Sequence, residues 1–187
     1  MIRSFLAIEL PKPILKKIEE VQADLRAAHA DVRWVSPEKI HLTLKFFGSI
    51  EESRIDSIFK SIEESVRSTS PFSLEVRGVG AFPSMKSPRV IWLGLENGQS
   101  LTSLQKQIET QLEKIGFQSE DRPFHPHLTL GRTKSSRGKN ELVGRMEKHR
   151  EEEFGDLQVE RVILFKSDLK PSGPIYTALG DLKLGGR

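Results

Sequence analysis

The tetrapeptide HLTL at residues 41–44 returns letter for letter at residues 127–130, and this repeat limits the architecture of the chain more than anything else in it. The shift of 86 residues that carries His41 onto His127 also sets FLAIEL at 5–10 beside IWLGLE at 91–96. It brings the helical pattern at 14–28 beside the one at 101–115, and the pattern at 51–66 beside a charged one at 140–152. A slightly smaller shift lays LEVRGVGAF at 74–82 on LQVERVILF at 157–165. The chain therefore reads as an internal duplication, a strand-helix-strand-helix-strand unit used twice, with pseudo-repeats at roughly 1–86 and 87–187. A unit of that length is too long for a solenoid. The expected architecture is one bilobal α+β domain over 1–187, with two antiparallel sheets lining a central cleft and helices on the outer faces.

Periodicity supplies the elements. Leu6, Ile8 and Leu10 alternate in SFLAIEL and predict a strand that Pro11 ends. Ile14, Ile18, Val21 and Leu25 fall at helical spacing, as do Ile55, Ile58, Ile62 and Val66, and then Leu101, Leu104, Ile108 and Leu112. RWVS at 33–36 leads into the first HLTL strand, which Gly48 is expected to close. FSLEVRGVGAF and the apolar run VIWLGL predict strands joined by a loop PSMKSPR, and LQVERVILF and PIYTALGDL finish the chain as strands. The helix at 140–152 has a thin apolar face.

Composition removes several classes of protein. A chain of 187 residues is long enough to bury a real core. The absence of cysteine rules out disulfides and thiolate zinc sites and fits the cytoplasm. FLAIEL is interrupted by Glu9 and stopped by Pro11, so it fails as a signal-peptide core, and no stretch approaches the roughly 20 apolar residues of a membrane span. Lys and Arg outnumber Asp and Glu by 29 to 26, a balance that permits a phosphate-bearing partner without demanding one. The expectation is a monomer with no membrane partner.

Successive side chains of a strand point to opposite faces, so His41, Thr43 and Lys45 are expected on one face and Leu42, Leu44 and Phe46 on the other. His127 and Thr129 stand in the same way over Leu128 and Leu130. A single His-x-Thr in a strand is ordinarily structural; two at matching places in a duplicated unit point to one shared site. Two histidines can supply the acid and the base of a reaction near neutral pH, and two threonine hydroxyls can hold an oxyanion between them. A tetrahedral phosphate suits that cage, because cleaving a phosphodiester in line needs a base for the attacking hydroxyl and an acid for the departing oxygen. Neither a metal nor a cofactor is required. His125 and His127 form a His-x-His pair, but Pro126 assigns His125 to the entering loop and no third ligand is repeated in the first half. His29 and His149 are expected to be without special role.

Arg132 would face away from His127 in a regular strand, whereas a bulge at Gly131 would turn its guanidinium into the cleft to clamp phosphate. The basic cluster Lys134, Arg137 and Lys139 is either solvated or tracks an RNA backbone. Trp34, Phe46, Phe47 and Trp92 are expected in the core, and any that faced the cleft would offer a surface on which a base can stack.

The paired His-x-Thr motifs, together with WVSPEKIHLTLKFFG, GVGAFPSMKSPRVIWLGLE and FHPHLTLGR, resemble the two-histidine (2H) phosphoesterase superfamily. Within it the chain is similar to the bacterial and archaeal RNA 2′,3′-cyclic phosphodiesterases, also called 2′-5′ RNA ligases or LigT-like proteins. The resemblance implies metal-independent opening of RNA 2′,3′-cyclic phosphate ends to 2′-phosphomonoesters, with related members joining tRNA halves through a 2′-5′ bond. It makes His41 the proton donor to the leaving 3′ oxygen, His127 the base for water, Thr43 and Thr129 phosphate binders, and Arg132 their assistant. Rival readings are a 2H enzyme acting on a small cyclic nucleotide or ADP-ribose cyclic phosphate, a non-catalytic module holding a nucleotide or RNA end, and a metallohydrolase built on His125 and His127.

Overall fold

The structure, a computed structural model, describes residues 1–185. Its strands are β1 (Ile2–Ile8), β2 (Val32–Trp34), β3 (Leu42–Ile50), β4 (Phe72–Ser84), β5 (Ser87–Glu96), β6 (His127–Thr133), β7 (Glu153–Val159), β8 (Arg161–Lys170) and β9 (Gly173–Lys183). Its helices are α1 (Lys12–Arg26), α2 (Ile55–Arg67), α3 (Gln99–Lys114) and α4 (Lys139–Lys148). One sheet runs β3-β1-β8-β9 and the other β2-β6-β5-β4-β7, with every neighbouring pair antiparallel. The α+β architecture with two sheets is as the periodicity predicts.

The strands matched by the duplication hold matching places. β1 and β5 lie inside their sheets, β3 and β6 carry HLTL beside them, and β8 and β4 flank them on the other side. Yet β4 belongs to the first half of the chain and pairs with β5, while β8 belongs to the second half and pairs with β1. Helices cross over as well: α1 and α4 pack against β7 and β4 of the second sheet, and α2 and α3 against β9 and β3 of the first. The two halves interleave, so neither sheet is complete without strands from both. This also corrects the reading of LQVERVILF as one strand. The chain leaves the second sheet at the end of β7, passes through Glu160 and enters the first sheet as β8.

Three further boundaries differ. Gly48 lies inside β3 with φ 69°, at an irregularity opposite Ser4 and Phe5, and so bends the strand rather than closing it. The segment PSMKSPR is mostly strand, turning only at Met85 and Lys86. α4 ends at Lys148, having buried only Leu142 and Met146.

One continuous core lies between sheets and helices. It takes Leu42 and Leu44 from β3, Leu128 and Leu130 from β6, and the apolar stripes of all four helices. A small separate cluster of Phe5, Ala7, Ile163 and Phe165, with Tyr176 against it, sits on the opposite face of the first sheet.

His149, for which the sequence suggests no role, fastens α4 to α1. Its Nε2 lies 2.8 Å from Asp24 and its Nδ1 meets Glu152, while Arg145 donates to Asp24 at 2.6 Å. Burial opposes the charged imidazole, but the hydrogen bonds and charges of Glu152 and Asp24 outweigh it and raise the His149 pKa above 6.5. A group whose folded pKa is raised stabilises fully below its unfolded value and loses that contribution as pH rises through the folded value. The melting temperature of the parent should therefore exceed that of His149→Asn most below pH 6.5, and the gap should shrink as pH rises above it. A gap that widens with rising pH would contradict this ion-pair role.

Candidate active site

Both HLTL strands keep their alternation only as far as the second leucine. Thr43 lies opposite Ala7 but Lys45 lies opposite Leu6, so Leu44 is an extra residue and the strand bulges. In the second copy Thr129 lies opposite Trp92 and Gly131 opposite Ile91, which makes Leu130 the extra residue of an equivalent bulge. Alternation inverts after each bulge. Lys45 and Gly131 turn toward the core, and Phe46 and Arg132 turn to the face that carries His41, Thr43, His127 and Thr129. Because the leucines of both strands enter one core and Cα atoms of β3 and β6 come within 8 Å, the two His-x-Thr faces border the same open side.

The bulges decide the residues that the sequence leaves in doubt. Arg132 stands on the site face and is exposed. Lys45, expected beside His41 and Thr43, is instead 4% exposed; its Nζ donates to Glu109 at 3.1 Å and to the Gln118 carbonyl at 2.6 Å. Its counterpart is Gly131, where a Cβ would stand 2.8 Å from Val32 Cγ1 and 3.0 Å from the Trp34 ring. β6 has β2 outside it and β3 is a sheet edge, so the second copy needs glycine where the first has room for a buried lysine. Of the four aromatic residues assigned to the core, Trp34 and Phe47 pack against it. Phe46 is 56% exposed on the site face, and Trp92 lies opposite Thr129 and over Gly80.

The two histidines are held alike. His41 Nδ1 donates to the Lys39 carbonyl at 2.8 Å, and His127 Nδ1 donates to the His125 carbonyl at 2.6 Å. A carbonyl can only accept, so each Nδ1 carries the proton and each Nε2 offers its lone pair to the site when the ring is neutral. His125 thus serves through its backbone from the loop before β6. Among the described residues neither it nor His127 belongs to a group of three His, Cys, Asp or Glu able to hold a metal. The His41 ring stacks on Phe5 at 4.6 Å and meets Tyr176 edge-on at 5.3 Å, and the His127 ring meets Phe82 edge-on at 5.0 Å. Burial holds both imidazole pKa values below 6.5, against the opposing pull of the carbonyl hydrogen bonds; for His127 the charges of Arg132 and His125 lower it further. The hydroxyls of Thr43 and Thr129 have no hydrogen-bond partner among the described residues and are half-buried, available to an incoming oxygen.

Sequence reasoning missed a second pair of residues. Gln22 of α1 is buried and donates its amide to the Leu130 carbonyl at 3.0 Å and to the Val35 carbonyl at 2.8 Å. Gln105 of α3 is also buried and reaches the Leu44 carbonyl at 3.5 Å. Each bulge residue therefore has its carbonyl met by a glutamine on a helix from the other half of the chain. A glutamine among the apolar residues of each helix's buried face was the available signal.

The family described as the 2′-5′ RNA ligase superfamily matches residues 10–171. The chain belongs to that superfamily. It is 37% identical to the RNA 2′,3′-cyclic phosphodiesterase of Methanothermobacter thermautotrophicus over 98% of this chain and 99% of the relative. It is 35% identical to that of Thermotoga maritima over 99% and 97%. A crystal structure from Thermus thermophilus superposes with a TM-score of 0.81 at 30% identity, covering 98% of both chains. That of E. coli LigT complexed with 3′-AMP superposes at 0.78 with 26% identity, covering 99% of both. Membership of the 2′-5′ RNA ligase superfamily agrees with the resemblance carried by the HLTL motifs.

Removing either glutamine donor leaves a buried carbonyl with one partner fewer. Gln22→Met, which keeps the volume and loses the donor, should destabilise the protein by about 1–3 kcal/mol, read as a lower urea midpoint at unchanged m-value. Gln105→Met should cost less, because its bond to the bulge is longer at 3.5 Å. The reverse order would contradict the ranking by hydrogen-bond length.

Proposed function

We propose that this protein is an RNA 2′,3′-cyclic phosphodiesterase that opens the cyclic phosphate to a 2′-phosphomonoester by acid and base catalysis from His41 and His127. The observation that carries the reading is the pair of half-buried imidazoles, each with Nδ1 tied to a carbonyl two residues earlier and Nε2 left for the site. His127 takes a proton from water as the water attacks phosphorus, the bond from phosphorus to the 3′ oxygen breaks, and His41 Nε2–H gives its proton to that oxygen. The neighbouring charges of Arg132 and His125 favour the neutral form of His127, which supports it as the base. No such cation depresses His41, which leaves it the better donor. Thr43 and Thr129 donate to the non-bridging oxygens, and Arg132 neutralises the charge that grows on them. A ribose 5′-hydroxyl in place of water would leave a 2′-5′ bond by the same two proton transfers.

The natural ligand is an RNA end or a small cyclic nucleotide; the names of the relatives favour the RNA. No helix among the described residues is long and apolar enough to cross a membrane.

The direct test incubates the protein, with EDTA, on an oligoribonucleotide ending in a 2′,3′-cyclic phosphate and identifies the monoester isomer. A 2′-phosphate is expected, and His41→Ala and His127→Ala should each lower kcat/KM by roughly 10²–10⁴-fold. Thr43→Ala and Thr129→Ala should each cost about 10–100-fold, and Arg132→Ala should lower kcat along with kcat/KM. Parental rates in either histidine variant would sink the assignment.

The pH profile follows from the depressed pKa values. The base must be neutral and the acid protonated, and both free-enzyme values lie below 6.5. The optimum of kcat/KM should fall on the acid side of 6.5, with a decline approaching tenfold per pH unit above it as the acid loses its proton. An optimum near pH 8 would contradict the geometry.

A further inference from the structure

Cations gather beyond the second His-x-Thr strand and find no carboxylate. Arg33 of β2 lies directly opposite Arg132 of β6, and residues directly opposite in an antiparallel pair project from the same face. Val32 and Trp34, on either side of Arg33, pack against the core, which leaves Arg33 exposed on the face that carries Arg132 and His127. The ladder continues one step past β6, where the Lys134 amide donates to the Asp31 carbonyl at 2.8 Å. Alternation returns Lys134 to that face, and it too is exposed. Like charges directly opposite each other destabilise a sheet. Arg67, Arg145 and Arg161 each meet a carboxylate, at 2.8, 2.6 and 3.1 Å. Among the described residues no such partner meets Arg33, Arg132 or Lys134; Asp31, opposite Lys134, accepts from Ser135 at 2.8 Å instead.

The place of these cations relative to the proposed catalytic cage limits what they can hold. Arg132 is three residues past Thr129, one of them taken up by the bulge, so the row of Arg132 and Arg33 begins about 7 Å beyond the cage and Lys134 about 13 Å beyond it. Arg132 is the nearest and reaches back to the scissile phosphate. Arg33 stands one strand further out, about 5 Å across the ladder. Lys134 is diagonal to Arg33, a spacing of about 7–8 Å that long side chains bridge. An anion between Arg33 and Lys134 lies too far from the cage to be an oxygen of the same phosphate, and about one nucleotide's step away along a strand. A 2′,3′-cyclic phosphate closes the 3′ end of its RNA, so the next anion of the chain is the phosphodiester on the 5′ oxygen of the same ribose.

We propose that Arg33 and Lys134 form a second phosphate subsite, which holds the phosphodiester 5′ to the terminal nucleoside while its cyclic phosphate sits between His41 and His127. The proposal rests on the functional reading above and adds what that reading leaves open, a contact that tells an RNA end from a small cyclic nucleotide. An RNA end carries the second phosphate and a nucleoside 2′,3′-cyclic phosphate does not. Contacts to phosphate position a strand without reading its bases, so the subsite takes any sequence. Arg33 and Lys134 touch neither the scissile phosphate nor the attacking water, and their contribution therefore falls on KM rather than on kcat.

The test compares uridylyl-uridine 2′,3′-cyclic phosphate with the same dinucleotide carrying an uncharged methylphosphonate between its nucleosides. Hydrolysis of both is followed in the parent, Arg33→Gln, Arg33→Lys and Lys134→Gln, and calorimetry measures binding of the corresponding 2′-monophosphates. At low salt the parent should favour the charged dinucleotide by about five- to tenfold in kcat/KM, through KM. That ratio should fall to about twofold or less in Arg33→Gln and stay above it in Arg33→Lys, which keeps a cation; Lys134→Gln should lower it as well. Arg33→Gln should also flatten the plot of log kcat/KM against log salt for the charged dinucleotide by about 0.7, the share of one phosphate contact on a single strand. Charged and neutral dinucleotides handled alike by the parent, or a ratio that Arg33→Gln leaves intact, overturn the subsite. Hydrolysis without a charge preference defeats the subsite and spares the phosphodiesterase reading; a charge preference in binding without hydrolysis of either dinucleotide does the opposite. Because glutamine removes a like charge opposite Arg132, Arg33→Gln should melt no lower than the parent. Should it fail to fold, Lys134→Gln must by itself show the loss of preference.

Discussion

Burial of the four HLTL leucines in one shared core is the constraint on which everything else in the molecule depends. Leu42, Leu44, Leu128 and Leu130 are at most 3% exposed, and each contributes about 1.5–3 kcal/mol through burial. A strand offers only two faces, so committing the leucines to the core commits His41, Thr43, His127 and Thr129 to the other side. A slip of one residue would bury the histidines and expose the leucines. The chemistry of the site is thus held in place by hydrophobic packing that never touches the ligand.

Interleaving turns that local rule into a global one. β4 and β8 each complete the sheet of the opposite half, and Gln22 and Gln105 each reach from one half to the bulge of the other. Loosening either half would therefore disturb both histidine strands. The arrangement also gives a physical reason for divergence between the copies. β2 pairs outside β6 and leaves no space for a side chain at Gly131, while β3 has no outer neighbour, so Lys45 could lengthen inward to Glu109. The next residue in each copy, Phe46 or Arg132, faces the site and is free of that packing restraint.

Much of this was legible in the sequence, and the exceptions share a cause. Repetition of HLTL at matching positions carried the two-sheet architecture, and alternation placed both histidines and both threonines. Gly131 signalled the bulge that brings Arg132 onto the site face, because glycine in a strand interior is itself a mark of irregularity. The first bulge has no glycine, so strict alternation put Lys45 on the site face and Phe46 in the core, and both assignments were inverted. The exchange of β4 and β8 was hidden for another reason: an apolar run shows that a strand is buried and says nothing about which sheet receives it. LQVERVILF, a single run divided between two sheets at Glu160, is the sharpest case.

The resting electrostatics bear on how such a site comes to work. Burial disfavours the imidazolium at both His41 and His127, so the site by itself tends toward two neutral rings, while in-line cleavage needs one of them protonated. In the proposed reaction, an anionic phosphate between the rings would supply the missing counter-charge. It would offset the desolvation of a proton on His41, which lacks a cationic neighbour, and leave His127, already pressed by Arg132 and His125, as the ring better kept neutral. The difference between the copies at the second position after the bulge, arginine in one and phenylalanine in the other, acts with the charge of His125 to make two nearly equivalent histidines unequal. A duplicated scaffold of nearly equal halves can acquire distinct acid and base in this way, through charged side chains on one side only and with the HLTL segments that carry the histidines unchanged.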